Sequence, residues 1–253
     1  MNMDSDKVFK GFYTKLNPEQ KKAVDAIEGP VMVIAGPGTG KTQVLTLRIA
    51  NILKRTDTLP EHILALTFTE SGVSAMRARL ASLIGSTAYR VPIHTFHSFA
   101  NFIIRTHPDQ FERIIGATPI ADAERIGILE RIILESAVTK LRPFGDPLFY
   151  LRHASRAISV LKRENVRPEA LERILDQEEE TFKSLPDLYH AKGKYRGQLK
   201  GVYAGLQKKL EKNRDLLLIY REYEKRLREA KRYDFEDMII EVVEAFQHNQ
   251  SLL

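Results

Sequence analysis

Eight residues near the start of the chain, Ala35-Gly36-Pro37-Gly38-Thr39-Gly40-Lys41-Thr42, have the composition and order of a phosphate-binding loop. A triphosphate needs several donors aimed at closely spaced anionic oxygens. Glycines at 36, 38 and 40 let consecutive backbone N–H groups converge there without side chains in the way. Lys41 is placed to reach the β- and γ-phosphates and the Thr42 hydroxyl to ligate magnesium, while the following helix presents its N-terminal dipole. Lys41 and Thr42 are therefore the catalytic candidates, and Thr42 the metal candidate. Ala35 stands where the strict pattern has glycine, a small change that removes no donor. The bland alternative is a Gly/Thr-rich connecting loop with a solvated lysine, and the flanking elements argue against it. The motif speaks for nucleotide binding and not for what the energy does, because small-molecule kinases, GTPases, transporters and motors share it.

The elements that must position this loop are legible on both sides. Val31-Met32-Val33-Ile34-Ala35 is short, apolar and β-branched, as expected for a strand buried on both faces of a parallel sheet. From Thr42, the residues Val44, Leu45, Leu47, Ile49, Ile52 and Leu53 suit a largely buried helix, closed by Thr56 to Pro60. Upstream, Asn17 caps a helix with Pro18 in its first turn, and Gly29-Pro30 ends it. A second buried strand, Ile63 to Phe68, runs through Thr69-Glu70-Ser71-Gly72 into a helix carrying Val73, Met76, Leu80 and Leu83. A third short segment follows at Val91 to Thr95. This order gives an α/β fold with an open parallel sheet, whose ligands sit at the carboxyl ends of strands. Beyond it the pattern is helical, over Ile120–Ala137, Phe149–Asn165, Pro168–Glu180 and Leu206–Ala230, with no second set of strands. Asp234 caps a last helix through Phe246. The expected division is an α/β domain over 1–108, a helical insertion over 109–230, and a helix over 231–253 returning to the first domain.

Composition excludes several chemistries. The 253 residues contain no cysteine, which removes disulfides, thiolate zinc sites and cysteine nucleophiles, and seven scattered histidines show no metal-ligand spacing. No apolar run is long enough to span a bilayer and the N-terminus lacks the order of a secretory signal, so no membrane partner and a cytoplasmic location are expected. The net charge is +6, yet the stretch from Ala191 to Arg214 alone holds eight Lys/Arg against one acid, Glu211. A grip on nucleic acid and a solvated basic face are equal readings of it.

The order of short segments around the loop narrows the reading. Leu16 to Val24 upstream, Leu66-Thr67-Phe68-Thr69 with Ala75-Met76-Arg77 downstream, Thr95-Phe96-His97-Ser98 beyond, and Tyr233-Asp234-Phe235-Glu236-Asp237 near the end resemble superfamily 1 DNA helicases of the UvrD/Rep type. The resemblance implies a RecA-like P-loop NTPase sheet with a mostly helical inserted subdomain, ATP and Mg2+ as cofactors, and single-stranded DNA and single/double-strand junctions as partners. It implies an ATP-dependent helicase or translocase of DNA repair or recombination, with Gln20 reading adenine and Gly36 to Gln43 holding the nucleotide. It also implies DNA contacts by Thr67, Phe68, Thr69, Thr95, Phe96 and His97. An aromatic face can stack on any base, which suits a motor without sequence preference. On residue type alone, Gln20 reads as a surface residue, and Phe68 and Phe96 read as core aromatics.

Two positions depart from the family pattern: Gln43 stands where arginine is frequent after the loop threonine, and Glu70-Ser71 where Asn-Lys follows Thr-Phe-Thr. An apolar strand followed by Asp-Glu, which would supply the magnesium-holding and water-activating carboxylates, is not found before Leu253. The expectation is an N-terminal portion of a longer enzyme, lacking the C-terminal motor domain, that binds nucleotide weakly and hydrolyses it poorly. A nucleotide-dependent DNA-binding regulatory module and a small-molecule P-loop kinase are the alternatives.

Overall fold

The computed structural model describes residues 3–249 and 252. The chain divides into two compact units, residues 1–102 and 103–253. In the first, α1 (Met3–Tyr13), α2 (Pro18–Asp25), α3 (Lys41–Arg55) and α4 (Glu70–Ile84) pack around β1 (Ala65–Thr67) and β2 (Ile93–Thr95), and α5 (Phe96–Thr106) begins directly after β2. β1 and β2 run parallel, with Ala65 opposite Ile93 and Thr67 opposite Thr95, and α4 forms the crossover. Val24, Leu47, Ala50, Leu80, Leu83 and Ile93 form the centre of the core. The apolar positions read in the sequence for α3 and α4 are largely those that face it.

The strand expected over Val31 to Ala35 does not form. Those residues are irregular, and Met32 and Ile34 are 86% and 90% exposed. A β-branched run becomes a strand only where neighbours take up its N–H and C=O groups, and among the described residues none is paired with it. The parallel sheet of this unit is therefore two-stranded, and its strands are three residues each. α2 also ends earlier than Gly29-Pro30, at Asp25, where Ala26 donates to the Lys22 carbonyl.

The second unit holds β3 (Thr118–Pro119), α6 (Asp122–Glu135), α7 (Leu151–Arg163), α8 (Pro168–Lys183), α9 (Gly201–Glu229), β4 (Arg232–Tyr233) and α10 (Phe235–His248). α9 is its axis. At 29 residues it is about 44 Å long, and α6, α7 and α8 lie against it. Leu129, Ile132, Ile133, Ile158, Tyr220 and Tyr223 are its innermost side chains. Leu210, Leu217, Tyr220 and Leu227 follow the expected helical stripe inward, whereas Leu206, at the projecting start of α9, stays exposed. A second strand pair exists after all: β3 and β4 align in parallel, two residues each. Residues 231–248 fold with this unit, α10 lying against α7, where the sequence reading had assigned 231–253 to the first domain. No helix among the described residues is long and apolar enough to cross a membrane.

Candidate functional site

The glycine-rich loop leads from the irregular segment 31–36 into the first turn of α3. Gly38 and Gly40 have φ of 73° and 82°, a left-handed backbone that a β-carbon disfavours, and Gly40 is the N-cap of α3. The loop closes on itself: Thr39 Oγ1 donates to the Gly36 carbonyl at 2.8 Å, and Lys41 Nζ donates to the same carbonyl at 2.7 Å and to that of Ala35 at 3.4 Å. The ammonium is thus held within the curve of the loop by two carbonyls. Pro37 lies exposed at its turn, while Thr42 and Gln43 are half-buried in the first helical turn.

Gln20 reaches this loop from α2. Its backbone N–H donates to Asn17 Oδ1 at 2.8 Å and its Oε1 accepts from the Asn17 N–H at 3.0 Å, the reciprocal capping box of α2. Its Nε2 donates to the Thr39 carbonyl at 3.0 Å. A primary amide has two donor hydrogens and two acceptor lone pairs. These bonds use one of each, so one donor and one acceptor are left, which is what a base edge requires. Gln20 is therefore a strut between α2 and the loop, a role its residue type alone did not reveal. A cleft of about 490 Å³ opens beside the strut, lined by Gln20, Val33, Ala35, Lys41, Leu45 and Arg48. Arg48 was not anticipated, although its seven-residue spacing from Lys41 on one helix puts both on the same face.

The second set of candidates gathers at the ends of the parallel strands. Because Thr67 and Thr95 are opposite one another, Phe68 and Phe96 leave the sheet at adjacent points, and their rings lie 5.3 Å apart at 45°. Phe68 is 88% exposed and Phe96 39%, so neither is the core aromatic that residue type favoured. Thr69 caps α4, its Oγ1 accepting from the Gly72 N–H at 3.0 Å. Gly72 is required there by contact: a β-carbon would lie 2.7 Å from Thr67 Oγ1. His97 is exposed in the first turn of α5. Thr95, by contrast, is buried and faces inward. Its hydroxyl accepts from the Ser98 N–H at 3.0 Å, and Ser98 Oγ accepts from the Thr95 N–H at 2.8 Å. Thr95 Oγ1 also donates to Glu70 Oε1 at 3.1 Å, so a residue read as a DNA contact instead shapes the start of α5 and is tied to the acid that departs from the family pattern. Arg77 acts similarly from α4, donating to the carbonyls of Ala88, Val91 and Ile93 and fixing the approach to β2.

In the second unit several cations of the basic stretch are engaged, Lys194 among them, its Nζ 5.9 Å from the centre of the Tyr195 ring. Lys200 pairs with Asp187, Lys212 donates to Tyr150 Oη at 2.7 Å, and Arg214 pairs with Asp176 and Glu179. Lys192, Lys194 and Arg196 sit exposed on a hairpin closed by the antiparallel bridge Tyr189–Leu199. The start of α10 is more elaborate than the cap expected. Asp234 and Asp237 form the capping box, and their carboxylates, with Glu224 of α9, surround Lys162 of α7. Lys162 Nζ lies 2.5 Å from Glu224, 2.6 Å from Asp234 and 3.0 Å from Asp237, and its side chain is 2% exposed. Burial works against the ammonium, but the carboxylates of Asp237, Glu224 and Asp234 outweigh it and hold the lysine above its ordinary pKa. Burial, together with the Asp234 carboxylate that accepts from its hydroxyl at 2.8 Å, raises Tyr223. The three acids are close enough to suit a metal ion, but Lys162 already supplies the positive charge among them.

Comparison with known proteins agrees with this layout. The family described as UvrD/REP helicase N-terminal domain matches residues 16–253. The chain is 30% identical over 253 residues to an ATP-dependent DNA helicase PcrA of Bacillus subtilis, covering 100% of this chain and 28% of that protein. It is 33% identical over 245 residues to a probable DNA helicase II homolog of Rickettsia conorii, covering 96% of this chain and 31% of the relative. The figures for a DNA helicase II of Rickettsia typhi are 33% over 245 residues, 96% and 31%. The chain thus spans about three-tenths of the length of the curated relatives it matches.

Proposed function

The chain belongs to the UvrD/REP helicase N-terminal domain family, and from that premise we propose that it carries the phosphate-binding half of an ATP-driven DNA motor with a RecA-like core. One observation carries the proposal: a single unit holds a glycine-rich phosphate loop and, at the carboxyl ends of two parallel strands, an exposed pair of phenylalanines. Ligands of open parallel sheets bind at those strand ends, and unpaired bases stack on exposed aromatics for about 1–3 kcal/mol each.

The loop fits a nucleotide. The N–H groups of Gly38 to Thr42 meet the phosphates, Lys41 exchanges its carbonyl contacts for the β- and γ-oxygens, and Gln20 offers its remaining donor and acceptor to adenine within the cleft. Arg48 lines the same cleft, beside the base or ribose, and Gln43 follows Thr42 in the first turn of α3. Thr42 supplies one hydroxyl of the hard-oxygen type that Mg2+ takes. When bound, the ion neutralises charge on the phosphates. Phe68 and Phe96 support the bases of a single strand, with Thr67, Thr69 and His97 donating to its backbone and Thr95 as a positioning residue. Lys192, Lys194 and Arg196, exposed on the second unit, are assigned to contacts with duplex phosphates. Such a protein acts on DNA in the cytoplasm, in repair or recombination.

The test is fluorescent-nucleotide and oligothymidylate binding by this chain. Lys41→Ala is expected to remove Mg–nucleotide binding while oligonucleotide binding persists. Undiminished nucleotide binding by the variant would overturn the assignment of the loop.

A further inference from the structure

The second unit presents an aromatic and cationic surface that the motor reading leaves unused. Between Ser136 and Arg163 the chain has six Lys/Arg and one acid, Asp146. Its middle is a loop that is irregular yet anchored. Asp215 Oδ2 accepts from the N–H groups of Thr139, Lys140 and Leu141 at 2.9, 2.5 and 2.9 Å, and Arg142 donates to the carbonyls of Leu134 and Ser136 at the end of α6. From these anchors the loop projects Phe144, fully exposed, and then Phe149, exposed at the entry to α7. The Phe149 and His153 rings are nearly parallel, 19° apart with centroids 6.3 Å apart, and Tyr150 meets both edge-on. Tyr150 is itself held by Lys212, whose Nζ lies 4.2 Å from the ring centre. Arg152, His153 and Arg156 lie on one face of α7, with Phe149 stacked on His153 from the turn before it, and both arginines are exposed.

Large apolar rings left in water on a preorganised scaffold, interleaved with guanidinium groups, match a chain of unpaired bases joined by phosphates. A duplex hides its base faces in the stack, and an acidic peptide offers nothing for the rings to stack on. We propose that the Phe149–His153 slab, with Arg152 and Arg156 beside it, is a second binding site for single-stranded nucleic acid, separate from Phe68 and Phe96. The proposal rests on the reading of this chain as a DNA-binding motor segment, and its test separates the two.

The probe is an oligothymidylate carrying one photoreactive thiothymidine, used with the whole chain and with a Phe68→Ala/Phe96→Ala background. Crosslinks to residues 144–156 that persist in that background support the second site. Phe149→Ala and, separately, Arg152→Ala/Arg156→Ala should each weaken the residual binding at least about fivefold. The arginine pair should also reduce the salt slope of log K by about 1.4, two phosphates at 0.7 each. Both sets lie on the surface, and unchanged circular dichroism excludes misfolding. Crosslinks confined to residues 67–97, or stronger competition by blunt duplex than by single strand, would overturn the second site alone. Absence of oligonucleotide binding to the unaltered chain would overturn it together with the motor reading.

Discussion

Replacing Lys162 by Met tests the buried charge cluster most directly, because methionine keeps much of the stem and removes only the ammonium. In the native fold that ammonium is 2% exposed and faces Glu224, Asp234 and Asp237 at 2.5–3.0 Å, while Arg113 reaches Glu224 at 2.8 Å and Asp237 at 3.4 Å from the outer side. Removing Lys162 leaves three buried carboxylates against one guanidinium. Breaking a buried pair from one side costs about 3–5 kcal/mol, so Lys162→Met should lose that much at pH 7.5. The folded pKa of Lys162 is raised, so its contribution is fully present below the unfolded lysine value of about 10.4 and is lost only as pH rises through the higher folded value. Native stability should therefore show no loss from this group between pH 7 and 9. Asp234→Asn retains a capping side chain and removes one of the stranded charges, so Lys162→Met/Asp234→Asn should be more stable than Lys162→Met alone. Urea unfolding by circular dichroism gives the free energies, since the chain has no tryptophan. Hydrogen exchange in α7 and α10 peptides locates the loss. A deficit below about 1 kcal/mol would refute the reasoning.

Two further substitutions probe the strand-end site. Gly72→Ala sets a methyl 2.7 Å from Thr67 Oγ1 and 3.1 Å from Thr69 Oγ1. Overpacking of about 1–3 kcal/mol then opposes a helix-propensity gain of about 1 kcal/mol, and displacement of the Thr67–Thr69 turn should weaken oligonucleotide binding. Stabilisation by the full propensity gain in thermal melts, with unchanged binding, would show that the turn tolerates the methyl. Ser71→Lys restores the cation of the family pattern beside Phe68 and should steepen the salt dependence of single-strand binding by about 0.7 in log–log slope. An unchanged slope in anisotropy titrations at several salt concentrations would place residue 71 away from the phosphate path.

What the sequence made legible was what depends on near neighbours. The Asn17 and Asp234 caps and most of the apolar stripes of α3, α4 and α9 are set by residues within a few positions of one another, and they are found where expected. The strand over Val31 to Ala35 failed for the complementary reason: its local signal is strong, but a strand is completed by partners distant in sequence. The tiny β3–β4 pair shows the converse, since Thr118-Pro119 carries no strand signal and is paired because residues 118 and 232 are brought together by the helices between them. Thr95 and Phe68 illustrate the same limit at the site. The family resemblance made Thr95 a DNA contact and residue type made Phe68 a core residue, yet the parallel register of β1 and β2 turns the first inward onto Glu70 and the second out to solvent.

The Lys162 cluster was invisible for a stronger reason. Lys162 stands near the end of an amphipathic helix, and its partners lie between 62 and 75 residues further along. Asp234 is the expected N-cap, and Asp237 completes its capping box. The structure adds that the same two carboxylates are held by a lysine from another helix, so the capping box is locked in place from outside its own segment. Capping alone is worth about 0.5–2 kcal/mol, less than the loss expected when the lysine is removed. The geometry at the start of α10, and the exposed Phe235 that sits between the two acids, is therefore set chiefly by α7. Conserving the Asp-Phe-x-Asp segment without a buried cation opposite it would preserve the motif and lose the structure that the motif serves.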